Sequence, residues 1–113
     1  MIIKIGEKTF TAQLEDSRTA IAFKAMLPLT LNMDDVNANE KVISLPAKLP
    51  TNDANPGDIH AGDLMIWRSR SLVLFYKSFP TSYSYTKIGR INDATGLSSA
   101  VGAGNVTVKF ELK

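Results

Sequence analysis

Leu64-Met65-Ile66-Trp67-Arg68-Ser69-Arg70-Ser71-Leu72-Val73-Leu74-Phe75-Tyr76-Lys77 is the stretch that decides the fold. Two dense apolar runs, 64–67 and 72–77, flank a polar connection of four residues. Runs this short, bounded by turn chemistry and rich in β-branched and aromatic residues, read as strands. Their near-continuous apolar character marks central strands covered on both faces. The pair is therefore expected to form the heart of the core.

Upstream, Ile2–Ile5 and Lys8–Leu14 read as an opening hairpin around Gly6-Glu7, because Phe10, Ala12 and Leu14 alternate with Thr9, Thr11 and Gln13. Asp16 or Ser17 can cap a following helix whose apolar side is Ala20, Phe23, Ala25, Met26 and Leu27, with Pro28 as its stop. This predicts one helix of about three turns. Residues 29–33 alternate again as a strand, 36–39 carry turn chemistry, and 41–45 form a short strand. The proline- and asparagine-rich stretch 46–58 is the longest loop, a common home for function.

Downstream, Phe79-Pro80-Thr81-Ser82 breaks the pattern before 83–91 resumes it as a strand, on which Tyr83 and Tyr85 share one face. Asn92 to Gly96 is a turn leading to a helical turn over Leu97–Val101, ended by Gly102 and Gly104. Val106, Val108, Phe110 and Leu112 make a clean last strand. Seven or eight short strands, one α-helix and a short helical turn predict a mostly β fold. A closed or nearly closed antiparallel barrel fits best, since closure removes the edges that so many strands would expose. At 113 residues, without repeat or linker, the chain is expected to be one domain, 1–113.

Composition narrows the function classes. With 44% hydrophobic and 21% charged residues the chain is globular, and no segment is long and apolar enough to cross a bilayer. It contains no cysteine, so disulfides and thiolate metal sites are unavailable. With no secretory signal in Met1-Ile2-Ile3-Lys4-Ile5 either, the expected location is the cytoplasm. The net charge of +2 arises from cations scattered among acids, Lys4, Lys24, Lys41 and Lys48 among them, and this reads as a solvated face. Nucleic acid is not an expected partner, because it needs a basic stripe, and neither is a membrane, because no segment is long enough to span one. No cofactor is expected, as Gly102-Ala103-Gly104 lacks the strand-to-helix setting of a phosphate loop.

Several segments then agree with one family. Leu31-Asn32-Met33, Asn39-Glu40-Lys41, Pro56-Gly57-Asp58-Ile59, Ala61-Gly62-Asp63-Leu64, the tyrosine-containing run 81–86 and Ile88-Gly89-Arg90-Ile91 occur in the order found in the small bacterial cyclophilin-like domain family, which the chain resembles over nearly its whole length. The resemblance implies a cyclophilin-like β-barrel with a helix packed at its end. It implies no known activity. True cyclophilins are peptidyl-prolyl isomerases, but their Phe-His-Arg and Gln-Gly-Gly-Asp segments are missing here, and the only glutamine, Gln13, lies in the opening hairpin. No catalytic residue carries over.

The candidate site is aromatic. Tyr83 and Tyr85 pair an apolar face with a hydroxyl, and together with Trp67 and Phe79 they are aromatics of the kind that pack most often in cores and rims and otherwise line pockets. They are expected to line a groove for a peptide or small molecule, with Arg68 and Arg90 as neighbouring cations. Asn32, Asn39, Glu40 and His60 are secondary polar candidates, although turn bonding accounts for Asn39 and a surface position for the sole histidine. No metal site is expected, since Asp58 and Asp63 beside His60 read as turn residues. A binding module is thus the leading expectation, with oligomeric state open. The alternative is a weak prolyl isomerase using Arg68, Arg70 or Arg90, because that reaction needs only an apolar seat and a donor to lower a barrier of roughly 18–20 kcal/mol. A third, an accessory domain of redox or flavin proteins, follows from family analogy alone.

Overall fold

The computed structural model describes all 113 residues. Ten strands and two helices follow the order β1 (Ile2–Ile5), β2 (Lys8–Leu14), α1 (Arg18–Ala25), β3 (Leu29–Val36), β4 (Glu40–Ser44), β5 (Asp58–Ile59), β6 (Asp63–Trp67), β7 (Ser71–Phe75), β8 (Phe79–Pro80), β9 (Thr86–Ile91), α2 (Leu97–Val101) and β10 (Val106–Glu111). Eight of the strands close an antiparallel barrel in the order β1, β10, β3, β4, β7, β6, β9, β2. The remaining two, β5 and β8, pair as a small separate sheet. No helix is long and apolar enough to cross a membrane.

The barrel is filled by the alternate side chains of its strands, among them Ile3, Met33, Leu64, Leu72, Ile88 and Phe110, all essentially inaccessible to solvent. Helix α1 closes one part of this core through Phe23, whose ring meets Phe110 edge-on at 5.7 Å. Ser17 begins the helix by accepting the Ala20 N–H with its Oγ at 3.1 Å. The helix is eight residues long, nearer two turns than three, because the chain caps at Met26 before Pro28 is reached. Closure depends on close backbone approach at Gly89, where β9 meets β2: a Cβ there would collide with the Gln13 carbonyl oxygen.

Three expectations need correction. The segment 83–91 is not one strand; β9 begins at Thr86, and Tyr85 joins only an isolated bridge to Ala54. Phe79-Pro80 is not merely a break but the partner of Asp58-Ile59. Lys41 is not on a solvated face. By strand alternation it shares the inner side of β4 with Ile43, and it is fully buried.

Three acceptors satisfy the three donors of that ammonium: Asp35 Oδ1 at 3.0 Å and the carbonyls of Gly102 and Gly104 at 2.8 and 2.6 Å. Asp35 also accepts the Tyr76 hydroxyl at 2.6 Å and the Ala38 N–H at 3.1 Å, and the Tyr76 ring lies 5.2 Å from Lys41 Nζ. The cluster therefore ties the β3–β4 turn, where Asn37 and Ala38 both take positive φ, to the segment between α2 and β10. The Tyr76 and Lys41 hydrogen bonds hold the Asp35 carboxyl below its usual range. Burial, reinforced by the bond to Asp35, pushes the Tyr76 phenol up to about 12. A raised phenol favours folding below pH about 10, and that contribution is lost as pH rises toward 12.

Lys41→Met, which keeps the stem but strips the donors, should lower stability by roughly 3 kcal/mol in urea unfolding. A loss below about 0.5 kcal/mol, the size of an ordinary surface change, would contradict the clamp. In the same assay Tyr76→Phe should flatten the decline of stability above pH 10.

Candidate functional site

The outward side chains of the central strands form a second, smaller core. Met65 of β6 and Val73 and Phe75 of β7 are buried on the outer face of the barrel, while Leu64, Ile66, Leu72 and Leu74 fill its inside. Ile59, Phe79 and Tyr85 are the cover. Phe75 meets Phe79 at 5.8 Å and Tyr85 at 5.5 Å, both edge-on. Thus the small β5–β8 sheet and the bridge at Tyr85 exist to shelter an outer face that water would otherwise wet.

This cover is incomplete. Val42 and Trp67 pack only partly against the second core, and with Val36, Glu40, Ser71, Val73, Tyr83 and Tyr85 they line an open groove of about 300 Å³. Tyr85 is a buried wall; Tyr83 stands at the rim, 65% exposed. The Tyr83 N–H is held by Thr81 Oγ1 at 3.1 Å, which fixes the rim without burying the ring. Beside the groove, Arg68 takes a positive φ in the β6–β7 turn and stacks its guanidinium 4.4 Å from the Trp67 ring centre.

Glu40 is the groove's only ionisable carboxylate. It is half-buried, and burial, helped by the nearby Asp35 charge, raises its pKa. It joins none of the chain's ion pairs. On the other side of Tyr85 lies a larger trough of about 780 Å³, polar in character, lined by Glu15, Arg18, Asn52, Asn55 and Lys87 among others. Tyr85 lines both concavities.

Of the residues singled out from sequence, Trp67, Tyr83, Tyr85 and Glu40 come together around one groove, with Arg68 stacked alongside. Phe79 does not line it, being used instead to cover Phe75. Arg90 is exposed on β9 and does not line the groove, and Arg70 is tied to the carbonyls of Leu45 and Pro46 at 2.7 and 3.0 Å. Asn32 is exposed on β3 opposite Thr107. Asn39 acts through its backbone, its carbonyl accepting the Tyr76 N–H at 3.0 Å. His60 is exposed, 3.9 Å from the Asp63 carboxylate, which itself accepts the His60 N–H at 2.8 Å as a turn residue. Sequence reasoning missed Val36, Val42, Ser71 and Val73; the alternation of β4 against β7, Val42 facing Val73 across the ladder, carried the signal.

A closed eight-stranded antiparallel barrel with two short helices makes this a small, mostly β domain. Comparison with protein-family models matches residues 3–111 to the Cyclophilin-like family, and the chain belongs to that family. Searches of curated proteins and of solved structures give no match.

The two tyrosines should separate on truncation. Tyr85→Ala, which opens the second core, is expected to cost about 3 kcal/mol, whereas Tyr83→Ala should stay within about 0.5 kcal/mol. Urea unfolding of both variants checks this, and equal costs would show that Tyr83 serves packing rather than the groove rim.

Proposed function

We propose that the protein is a binding module whose outer groove accepts an apolar group of a peptide or small molecule. The observation that carries the reading is the exposed Tyr83 beside a half-covered Trp67 and Val42: apolar and aromatic surface left concave and open where the rest of the outer face is sheltered. Sites of this kind are concave, mostly apolar and largely preformed. The neutral apolar dye N-phenyl-1-naphthylamine should bind saturably at one site and quench the only tryptophan, Trp67. Tyr83→Ala and the near-isosteric Val42→Thr should each weaken that binding by about fivefold or more, Tyr83→Ala without changing the thermal melt. Non-saturable binding, or binding indifferent to both substitutions, would overturn the reading.

A second reading, a weak prolyl isomerase, has one observation in its favour: the Arg68 guanidinium sits against Trp67 at the groove's edge. Arg70, tied to two backbone carbonyls, and Arg90, which does not line the groove, have no such observation in their favour. It requires faster cis/trans exchange of an alanyl-proline peptide, measured by exchange NMR at high protein concentration and lost in Arg68→Ala. A rate equal to the spontaneous one would eliminate it and leave the binding reading intact.

A further inference from the structure

Glu40 is out of place in a purely apolar seat. Its carboxylate opens into a groove walled by Trp67, Tyr83 and Tyr85, yet it has no cationic partner in the chain. The adjacent Lys41 points to the other face of β4, where Asp35 and two carbonyls engage it fully. Arg68, the nearest cation to Trp67, is stacked on the indole and does not line the groove. A half-buried, unpaired carboxylate is costly unless a cation meets it. Aromatic faces around it offer the same cation their negative quadrupoles, an attraction Trp67 already displays toward Arg68. The valines meanwhile suit an aliphatic stem, so charge and shape ask for a positive group carried on a hydrocarbon chain.

We infer that the groove takes a lysine or arginine side chain of an extended peptide, with the cationic head at Glu40, the stem along Val42 and Val73, and the peptide main chain passing over Tyr85 into the polar trough. The source is a peptide rather than a free amine because the two concavities adjoin at Tyr85. Tyr85 is the shared wall of both concavities, and the trough beyond it offers amide, hydroxyl and charged groups of both signs, including Asn52, Asn55, Glu15 and Lys87. Such a surface matches a polypeptide backbone with its mixed donors and acceptors. The inference rests on the groove being a binding site.

The test follows Trp67 fluorescence on the full chain with three probes: the capped pentapeptide Gly-Gly-Lys-Gly-Gly, the same peptide with norleucine for lysine, and n-butylamine. The lysine peptide should bind about tenfold or more tightly than the norleucine peptide, which has the same stem without the charge. Glu40→Gln should erase that preference while leaving the thermal melt unchanged. Equal affinity of the wild-type chain for lysine and norleucine peptides overturns the cation assignment and leaves the groove standing; failure of the wild-type chain to bind the naphthylamine dye overturns both. If n-butylamine binds as tightly as the lysine peptide, the peptide assignment fails in favour of a small amine. A chain that sediments as a dimer through this groove, with Tyr83→Ala restoring the monomer, overturns it in favour of a second copy.

Discussion

The rest of the molecule depends on burial of β6 and β7 from both sides. A barrel strand ordinarily shelters one face, because its alternate residues reach water. Here Met65, Val73 and Phe75 on the outer face are as inaccessible as Leu64, Leu72 and Leu74 on the inner one. At about 25 cal/mol per Å² of apolar surface removed from water, an uncovered outer face of this kind would be a large liability. The chain answers with two short strands, β5 and β8, which contribute little as a sheet and much as a roof for Phe75. The groove is where that roof ends. Structure and candidate function therefore share one cause, since the same outer apolar surface that demands a cover supplies the seat where the cover stops.

At one end of the barrel a different solution holds. Packing alone would leave the β3–β4 turn and the segment after α2 as neighbouring loops, but Lys41 reaches both, using every donor it has. Buried charge is tolerable here because each proton finds an acceptor and Asp35 supplies the counter-charge. Full satisfaction also makes Lys41 unsuited to chemistry, as no lone donor remains to meet a substrate. The contrast with its neighbour Glu40 is instructive: adjacent residues on one strand point to opposite faces, one into a completed network and one into an open groove.

Much of this was legible in the sequence. Apolar density at 64–67 and 72–77 marked the doubly covered strands, alternation in Val106, Val108 and Phe110 marked the last one, and Ser17 marked the helix start. Trp67, Tyr83, Tyr85 and Glu40 were singled out and meet at one groove. The failures have common physical roots. Local alternation runs from Tyr83 to 91, yet no partner strand lies beside Tyr83, and a strand needs a ladder as well as a pattern. Phe79 looked like groove lining but is required over Phe75, a contact between residues that only the fold brings face to face. Lys41 looked like a surface cation because two of its three acceptors lie some sixty positions away, in glycine carbonyls that have no side-chain signature.

The proposed role of the open margin of the second core is to bind a cationic side chain. The most direct measurement is a methyl ¹H–¹³C NMR titration with the capped lysine pentapeptide, because Val36, Val42 and Val73 line the groove while Val101 and Val108 are buried in the barrel core. Shifts confined to the Val36, Val42 and Val73 methyls, saturating at one equivalent site, are the expected result. Unmoved groove methyls at saturating peptide, or shifts spread over Val101 and Val108 alike, would contradict it.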